Sequence, residues 1–379
     1  MDSLLDADEL RRYSRHLLLP EIGVAGQERL KAARIAVVGL GGLGSPLGLY
    51  LAAAGVGTLG LIEFDVVDET NLQRQVLYAT ADVGRPKLTA AAERLRGVNP
   101  HLQLELHGLR LDAGNALDVL GRYDVVCDGS DNFSTRYLVN DACVRLGIPS
   151  VYGSILRFEG QVSVFHGARG PCYRCLFPSP PPAGSVPSCG EAGVLGVLPG
   201  IIGALQANEA LKLVLRVGES LLGRLLTFDA LRTKFRELAL RRNPSCEVCA
   251  LAPEDVVLRD EPDTCQVTAG PDPEMFDVEV AAVAQWRREG RGFLLLDVRM
   301  PEENRRARIE DSILIPLHQL PERFAELDAE QDVVVYCHYG PRSSYATQFL
   351  RQQGMPRVWN LAGGIDAWSA EIDARVPRY

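Results

Sequence analysis

The sequence predicts an α/β protein with two domains, each built on a parallel sheet. Along the first 170 residues, short apolar runs alternate with helical stretches, which is typical of a parallel sheet covered by helices. A polar segment with scattered prolines separates this block from one with strands and amphipathic helices of its own. We therefore expect a domain at residues 1–250, a linker at 251–275 and a smaller α/β domain at 276–379.

Composition excludes several classes of function. The net charge of −9 argues against non-specific nucleic-acid binding, which needs a basic surface. No secretory signal is visible, and glycines and a proline interrupt the one long uncharged run, Ile35–Ile62, so we expect no membrane segment. With nine cysteines and no signal, a cytoplasmic chain with metal-binding or reactive thiols is favoured over a disulfide framework.

The first domain carries a glycine-rich loop, GLGGLG (39–44), between a strand (35–40) and a helix. Such a loop brings the backbone close to phosphate or ribose, and the helix N-terminus favours anions. Glu63 follows the second strand, where a carboxylate can bond a ribose hydroxyl. These features fit NAD as well as ATP.

The following loops favour a triphosphate. Arginine and lysine occur in TNLQRQ (70–75) and RPK (85–87), and a triphosphate needs such neutralisation where NAD does not. The segment DGSDN (128–132) follows another strand and offers Asp131 to Mg²⁺. Since polar groups that follow successive parallel strands converge, the sequence predicts a nucleoside-triphosphate site.

Two C-x-x-C pairs, CYRC (172–175) and CEVC (246–249), indicate a metal site. Four thiolates suit tetrahedral Zn²⁺ in a closed, structural site. One such pair alone would be compatible with a redox centre, whereas two pairs favour zinc. The predicted ligands are Cys172, Cys175, Cys246 and Cys249.

The motifs of the first domain occur in one order together with RRYSRHLLLPEIG (11–23) and CGEAGVLG (189–196). From about residue 8 to 250 the chain resembles the MoeB/ThiF adenylyltransferases, relatives of ubiquitin-activating enzymes. The resemblance implies a Rossmann-like domain with a structural zinc that adenylates the C-terminal Gly-Gly of a small ubiquitin-like sulfur carrier. It implies ATP and Mg²⁺ as well.

The resemblance also assigns nucleotide-binding residues. They are Gly42 on the nucleotide, Glu63 on the ribose, Asn71, Arg74 and Lys87 on the phosphates, Asp131 on Mg²⁺ with Asn132 beside it, and Arg15 on the triphosphate. Because Arg15 would reach across a dimer interface, a homodimer is implied. Glu63 departs from the aspartate usual in the family, and its longer side chain can still accept both ribose hydroxyls.

Cys189 lies outside both pairs, after a loop rich in proline, glycine and serine (178–190). A flexible tether can carry a thiol to a bound acyl-adenylate, although an incidental surface cysteine has the same appearance. The resemblance implies a catalytic cysteine that forms a thioester or an acyl-disulfide. We expect Cys127 and Cys143 to be inert core thiols, and we assign no role to Cys265.

In the second domain, Cys337 follows the strand 333–336 and precedes a predicted helix at 343–354, in the segment CHYGPRSS (337–344). A loop in this position can direct several backbone N–H groups at one point and stabilise a thiolate or an anionic sulfur adduct. Arg342 adds positive charge. Phosphatases place five residues between cysteine and arginine; the four found here favour a persulfide carrier.

This loop, LDVRMPEE (296–303) and NLAGGIDAW (360–368) are similar to rhodanese-type sulfurtransferases over about residues 276–379. The usual Gly-His-Ile segment is missing from 307–316. The resemblance implies that Cys337 carries a persulfide, with Arg342 part of the catalytic loop. A cysteine desulfurase or thiosulfate would supply the sulfur.

Together the two resemblances imply adenylation of a sulfur carrier and its conversion to a C-terminal thiocarboxylate, as in molybdopterin biosynthesis. The alternative is an activator that passes a thioester-linked carrier to a conjugation partner, with the rhodanese-like domain a binding module. A non-catalytic scaffold is disfavoured by the intact Cys337 loop. An NAD oxidoreductase is disfavoured by the basic loops.

Overall fold

The computed structural model describes residues 4–181, 193–261 and 276–379, apart from the side chains of His318 and Pro341. These residues fall into two compact units, the first ending at Glu261. No helix in the described ranges is long and apolar enough to cross a bilayer.

The first unit has one eight-stranded sheet. Its strands are β1 (Arg34–Val38), β2 (Thr58–Ile62), β3 (Gln103–His107), β4 (Val125–Asp128), β5 (Ser150–Leu156), β6 (Glu159–Phe165), β7 (Arg224–Asp229) and β8 (Lys234–Ala239). They lie in the order β3-β2-β1-β4-β5-β6-β7-β8, parallel from β3 to β5 and antiparallel from β5 to β8. The helices are α1 (Ala7–Arg12), α2 (Ser14–Leu17), α3 (Gly23–Ala32), α4 (Gly44–Ala54), α5 (Lys87–Val98), α6 (Ala116–Leu120), α7 (Phe133–Leu146), α8 (Tyr173–Leu176) and α9 (Leu198–Leu215).

The parallel half of this sheet brings three strand ends together. Val38 pairs with Ile62 on one side and with Asp128 on the other, so β1, β2 and β4 end side by side. β2 is buried on both faces, which explains its continuous apolar run. The loops that follow these strands therefore share one edge of the sheet.

Part of the predicted linker packs on the first unit. Val256 is buried, and Arg145 of α7 donates to the carbonyls of Glu254 and Val256 at 2.8 and 2.7 Å. Glu261 accepts from Arg174 at 2.7 Å. These contacts satisfy polar backbone groups that a free linker would leave to water. The limits of the two domains remain a prediction.

The second unit has a five-stranded parallel sheet in the order β11-β10-β12-β13-β9. Its strands are β9 (Asp277–Val278), β10 (Leu294–Asp297), β11 (Ser312–Leu314), β12 (Val333–Tyr336) and β13 (Val358–Leu361). Its helices are α10 (Val280–Arg288), α11 (Pro301–Arg306), α12 (Leu320–Arg323), α13 (Pro341–Gln352) and α14 (Gly364–Glu371). Apolar clusters cover both faces, and the central strand β12 is wholly buried.

Candidate active sites

A cavity lies at the carboxyl ends of β1, β2 and β4. It is lined by six of the predicted nucleotide-binding residues: Gly42, Glu63, Arg74, Lys87, Asp131 and Asn132. The structure thus brings together groups spread over ninety positions of the sequence. The arrangement is the one expected of a ligand site at the edge of a parallel sheet.

Two predicted residues are absent from the described lining of this cavity. Asn71 accepts from the backbone N–H of Asp68 at 3.4 Å, and its carbonyl accepts from the N–H groups of Arg74 and Gln75. It therefore shapes the turn that carries Arg74. Arg15 is exposed on α2 and is not among the described residues that line the cavity.

The glycine-rich loop needs glycine at positions where a side chain would clash with the backbone. A Cβ on Gly44 would lie 2.0 Å from the carbonyl oxygen of Gly39, and Gly39 itself has a φ of +80°. The first turn of α4 can approach β1 this closely only without a side chain. The resulting backbone faces the cavity at Gly41 and Gly42.

Glu63 holds this loop as well as lining the cavity. Its carboxylate accepts from the backbone N–H of Leu40 at 2.9 Å, and from those of Phe64 and Asp65 at 2.9 and 3.0 Å. The side chain is buried. Each carboxylate oxygen has more than one acceptor site, so these bonds are compatible with a further donor such as a ribose hydroxyl.

The cavity has four cationic lining residues: Arg74, Lys87, Arg110 and Arg136. Lys87 is buried and pairs with Asp65 at 2.5 Å, whereas Arg74 donates to the carbonyl of Thr70 at 2.9 Å. Asp131 is exposed beside them. Positive charge at a site of this shape suits a polyanion.

Arg136 is a lining residue that the sequence reasoning missed. Its guanidinium donates to the carbonyl of Ser130 at 3.1 Å and to the hydroxyl of Ser154 at 3.2 Å, and lies 5.6 Å from the ring centres of Phe133 and Tyr152. Its Nε has no hydrogen-bond partner. The signal was available, since Arg136 lies one helical turn beyond the SDN motif and so on the same face.

The four cysteines of the two C-x-x-C pairs form one cluster. Sulfur–sulfur distances are 3.9 Å for Cys172–Cys175, 3.6 Å for Cys172–Cys246 and 3.4 Å for Cys175–Cys249. Zn–S bonds of about 2.3 Å in a tetrahedron give edges of about 3.8 Å, so the cluster fits zinc. Burial and the neighbouring sulfurs raise the pKa of the Cys172 thiol, and burial raises that of Cys249 to about 11. Since a cation replaces the thiol protons when it binds, we expect the cluster to bind zinc more tightly as the pH rises.

The other cysteines outside the Cys337 loop divide into two groups. Cys127 and Cys143 are buried, and burial raises the pKa of both thiols, in keeping with inert core residues. Cys189 lies outside the described residues, as does Cys265. The chain resumes at Gly193, whose carbonyl accepts from the N–H of Arg157 at 3.2 Å.

In the second unit, the loop after β12 encloses the Cys337 sulfur. The sulfur accepts from the backbone N–H of Gly340 at 3.1 Å and from the hydroxyl of Ser343 at 3.4 Å. Cys337 is 1% exposed, and Gly340 adopts a φ of +113° just before α13. Ser343, to which sequence reasoning assigned no role, shares its one hydroxyl proton between this sulfur and the carbonyl of Gly340, which lies closer at 2.9 Å. The N–H of Gly340 is therefore the main donor to the sulfur, and the hydroxyl adds to it.

Arg342 does not act as a lone charge on this loop. Its guanidinium forms a two-pronged ion pair with Glu303 of α11, both bonds being 2.8 Å. Burial opposes the ionisation of Glu303, but the bonds and charge of Arg342 prevail and lower the pKa of the carboxyl. Glu303 belongs to the LDVRMPEE segment, whose Asp297 and Arg299 form a second, fully buried pair at 2.6 Å.

The NLAGGIDAW segment supports the loop from the other side. The N–H of Ile365 donates to the carbonyl of Cys337 at 2.9 Å, and that of Asp366 to the carbonyl of His338 at 3.1 Å. Gly363 and Gly364 have φ values of +68° and +60°, and a Cβ on Gly364 would lie 2.4 Å from the His338 carbonyl oxygen. The two glycines thus let α14 begin in direct contact with the Cys337 loop.

The model of the ThiF family matches residues 13–248, more than half of the chain. The chain belongs to the ThiF family. A rhodanese-like domain matches residues 280–371. The predicted combination of an adenylyltransferase domain with a rhodanese-like domain is confirmed, and this ThiF-family chain is an enzyme.

Relatives match over most of their length. The chain is 44% identical to the probable adenylyltransferase/sulfurtransferase MoeZ of Mycobacterium tuberculosis, over 100% of this chain and 97% of the relative. It is 44% identical to the adenylyltransferase and sulfurtransferase MOCS3 of Sus scrofa, over 99% and 89%. It is also 57% identical to the sulfur carrier protein adenylyltransferase of Thermus thermophilus, over 65% of this chain and 93% of that one.

Among solved structures, Escherichia coli MccB bound to a MccA-N7isoASN peptide superposes with a TM-score of 0.57. The identity is 25%, and the match covers 63% of this chain and 74% of MccB. The adenylation fold of the ThiF-family unit is thereby confirmed.

Proposed function

We propose that this ThiF-family enzyme adenylates the C-terminal Gly-Gly of a ubiquitin-like sulfur carrier and then converts it to a thiocarboxylate. One observation carries the proposal: a single chain holds both a cation-lined cavity and a cysteine loop that stabilises a charged sulfur. The names of the full-length relatives support it. A conjugating activator would need only the first of these sites.

In the first step, a carboxylate oxygen of the carrier attacks the α-phosphorus of ATP. A P–O bond forms and the bond to pyrophosphate breaks, which leaves the carrier acyl-adenylate. Arg74 and Lys87 offset the negative charge of the phosphates, and Glu63 binds the ribose. Gly42 has no side chain, so the nucleotide can lie directly against the protein backbone there. Arg15 of a second copy supplies a further cation, so the working enzyme is a homodimer.

Metal ions complete this site and its support. Asp131, with Asn132 beside it, would hold Mg²⁺, which would offset negative charge on the triphosphate. The cluster of Cys172, Cys175, Cys246 and Cys249 would hold a structural Zn²⁺.

In the second step, the terminal sulfur of a Cys337 persulfide attacks the acyl carbon. A C–S bond forms, AMP leaves, and the product is an acyl-disulfide with Cys337. The thiolate of Cys189 then attacks the Cys337 sulfur, which releases the thiocarboxylate and leaves a Cys189–Cys337 disulfide for a cellular thiol to reduce. Because a linker joins the two domains, the Cys337 persulfide has a raised effective concentration at the acyl-adenylate. The reducing step suits the cytoplasm.

The test is the intact mass of a Gly-Gly-ended carrier after incubation with the enzyme, Mg-ATP, a sulfur donor and a thiol. Exchange of one oxygen for sulfur is expected with the wild type and not with Cys337→Ala, which still releases pyrophosphate. Cys143→Ala, which removes a buried core thiol, is the control and keeps both activities. An unmodified carrier with wild-type enzyme and continuing pyrophosphate release would favour the conjugating activator instead.

A further inference from the structure

The rhodanese-like unit carries a groove rich in arginine. Arg305, Arg306, Arg308 and Arg375 line it, against the acidic Glu310 and Asp373. We call these four residues the arginine groove. Three of them fall within four consecutive positions, in a chain whose net charge is −9. The positive charge is therefore local, and it attracts acidic groups.

The ion pairs within the arginine groove are exposed and weak. Arg305 meets Glu302 at 3.3 Å, with both side chains more than 70% exposed, and the Arg375 side chain is 87% exposed beside Asp373. Water screens such pairs, so the arginines can exchange their partners at little cost. Exposed charges spread along a groove suit another protein surface better than a small anion, which needs converging, buried donors.

The arginine groove adjoins the Cys337 loop by two routes. Helix α11 supplies Arg305 and Arg306 to the groove and, from the same turn, Glu303 to Arg342 of the loop. In addition, the Tyr379 ring lies 4.7 Å from the Arg306 guanidinium and 4.4 Å from the ring of His338, the residue after Cys337. A partner seated on the groove would therefore be next to the sulfur-accepting loop.

We propose that the arginine groove docks an acidic protein that delivers persulfide sulfur to Cys337. The proposal rests on the proposed function and adds the class of donor. The Cys337 thiolate attacks the terminal sulfur of the donor's cysteine persulfide. A new S–S bond forms on Cys337, the donor's S–S bond breaks, and the electron pair leaves with the donor thiolate, so no external oxidant or reductant is needed.

The experiment measures Cys337 persulfide by intact mass with two donors, a purified cognate cysteine desulfurase supplied with L-cysteine, and thiosulfate. In the full chain, Arg305→Glu/Arg308→Glu is expected to raise the KM for the desulfurase at least tenfold at low salt. Loading from thiosulfate stays within twofold. Raising the salt concentration should slow the desulfurase reaction of the wild type and much less that of the variant.

Arg288→Glu/Arg323→Glu is the matched control, with the same charge change on an exposed and a partly exposed arginine outside the groove. It should behave as wild type with both donors. Equal desulfurase KM values for the groove variant and the control would overturn the docking proposal and leave the proposed function intact. Loading of wild-type Cys337 by thiosulfate but not by the desulfurase would also overturn the docking proposal and leave the proposed function intact. A wild type loaded by neither donor would overturn the sulfur-transfer half of the proposed function and, with it, the docking surface.

Discussion

The two sites of this enzyme treat their arginines differently. In the nucleotide cavity, no carboxylate among the described residues forms an ion pair with Arg74 or Arg136. The guanidinium groups of these two residues donate hydrogen bonds to backbone carbonyls and to one hydroxyl instead. In the Cys337 loop, Arg342 is bound to Glu303, and the neighbouring Arg299 is bound to Asp297. The cavity thus keeps Arg74 and Arg136 for a ligand, although its Lys87 is paired with Asp65, whereas the Cys337 loop neutralises its arginines internally.

The difference follows from what each site must stabilise. A triphosphate brings several negative charges, so cations without carboxylate partners contribute directly to binding and to the transition state. A cysteine persulfide brings one, and the N–H of Gly340 with the hydroxyl of Ser343 already meets the Cys337 sulfur. Arg342 is instead joined to Glu303 of α11, a contact that the sequence motif alone does not reveal.

The largest effect is expected from removing an available cation of the cavity. Arg74→Met should lower carrier-dependent exchange of pyrophosphate into ATP by roughly 100-fold or more, the usual loss for one charged group on a reacting phosphate. Arg85→Met is the matched control, because Arg85 lies outside the cavity lining and pairs with Asp82 and Glu93. Its exchange rate should stay within about twofold of wild type.

Persulfide loading of Cys337 should be normal in both variants, since the loss concerns phosphate alone. If the Arg74→Met and Arg85→Met enzymes exchange pyrophosphate at the same rate, then Arg74, which has no carboxylate partner, does not contribute to adenylation. The contrast between the two sites would then lose its functional meaning.

Local patterns predicted much of this molecule. The helix predicted after the glycine-rich loop is α4, and the buried strand before Cys337 is β12, because apolar spacing and burial are local properties. The strand β8 has every residue exposed and therefore no alternating pattern to read. The sequence analysis missed β8 for that reason, and it also missed β6 and β7, which lie with it in the antiparallel half of the sheet.

The type of each site was predictable from the sequence, but the contacts between residues distant in sequence were not. Cysteine spacing indicated the zinc cluster, and strand-end motifs indicated the cavity. The pair Glu303–Arg342 spans 39 positions and depends on how α11 meets the loop, which no local pattern encodes. The contact of Gly364 with the carbonyls of Cys337 and His338 is of the same kind.

A smaller effect, on the shape of the sulfur site, is expected from Gly364→Ala. The added Cβ would press on the carbonyls of His338 and Cys337 and must also adopt a φ of +60°, so we expect about a tenfold slower sulfur transfer. Gly354→Ala pays a similar conformational cost of ~1–2 kcal/mol, at φ +91°, but meets nothing within 4 Å. Both should melt earlier, and only Gly364→Ala should transfer sulfur slowly. Equal transfer rates would mean that α14 does not set the loop.

The smallest effect tests the neutralised arginine itself. Glu303→Gln removes the carboxylate from Arg342, so the loop should attract an anionic donor more strongly. We expect the KM for thiosulfate to fall about fivefold, equivalent to ~1 kcal/mol, the scale of one partly screened charge. Glu302→Gln, next to it and exposed, is the control and should leave this KM unchanged. A rise in KM would instead mean that the pair is needed to present Arg342 to the donor.

The same pair should give the rhodanese-like unit a pH-dependent stability. The pKa of Glu303 lies below its ordinary value of 4.5 in the folded protein, so the pair stabilises the fold fully above pH 4.5. As the pH falls from 4.5 through the lowered pKa, the carboxyl is protonated and the stabilisation is lost. Urea unfolding of wild type and Glu303→Gln should therefore differ at pH 7 by about 1 kcal/mol, and the difference should shrink as the pH falls from 4.5 through the lowered pKa. If the stability difference between the two proteins does not change with pH, the lower stability of Glu303→Gln comes from side-chain packing. The charge of Arg342 would then not explain why a glutamate occupies position 303.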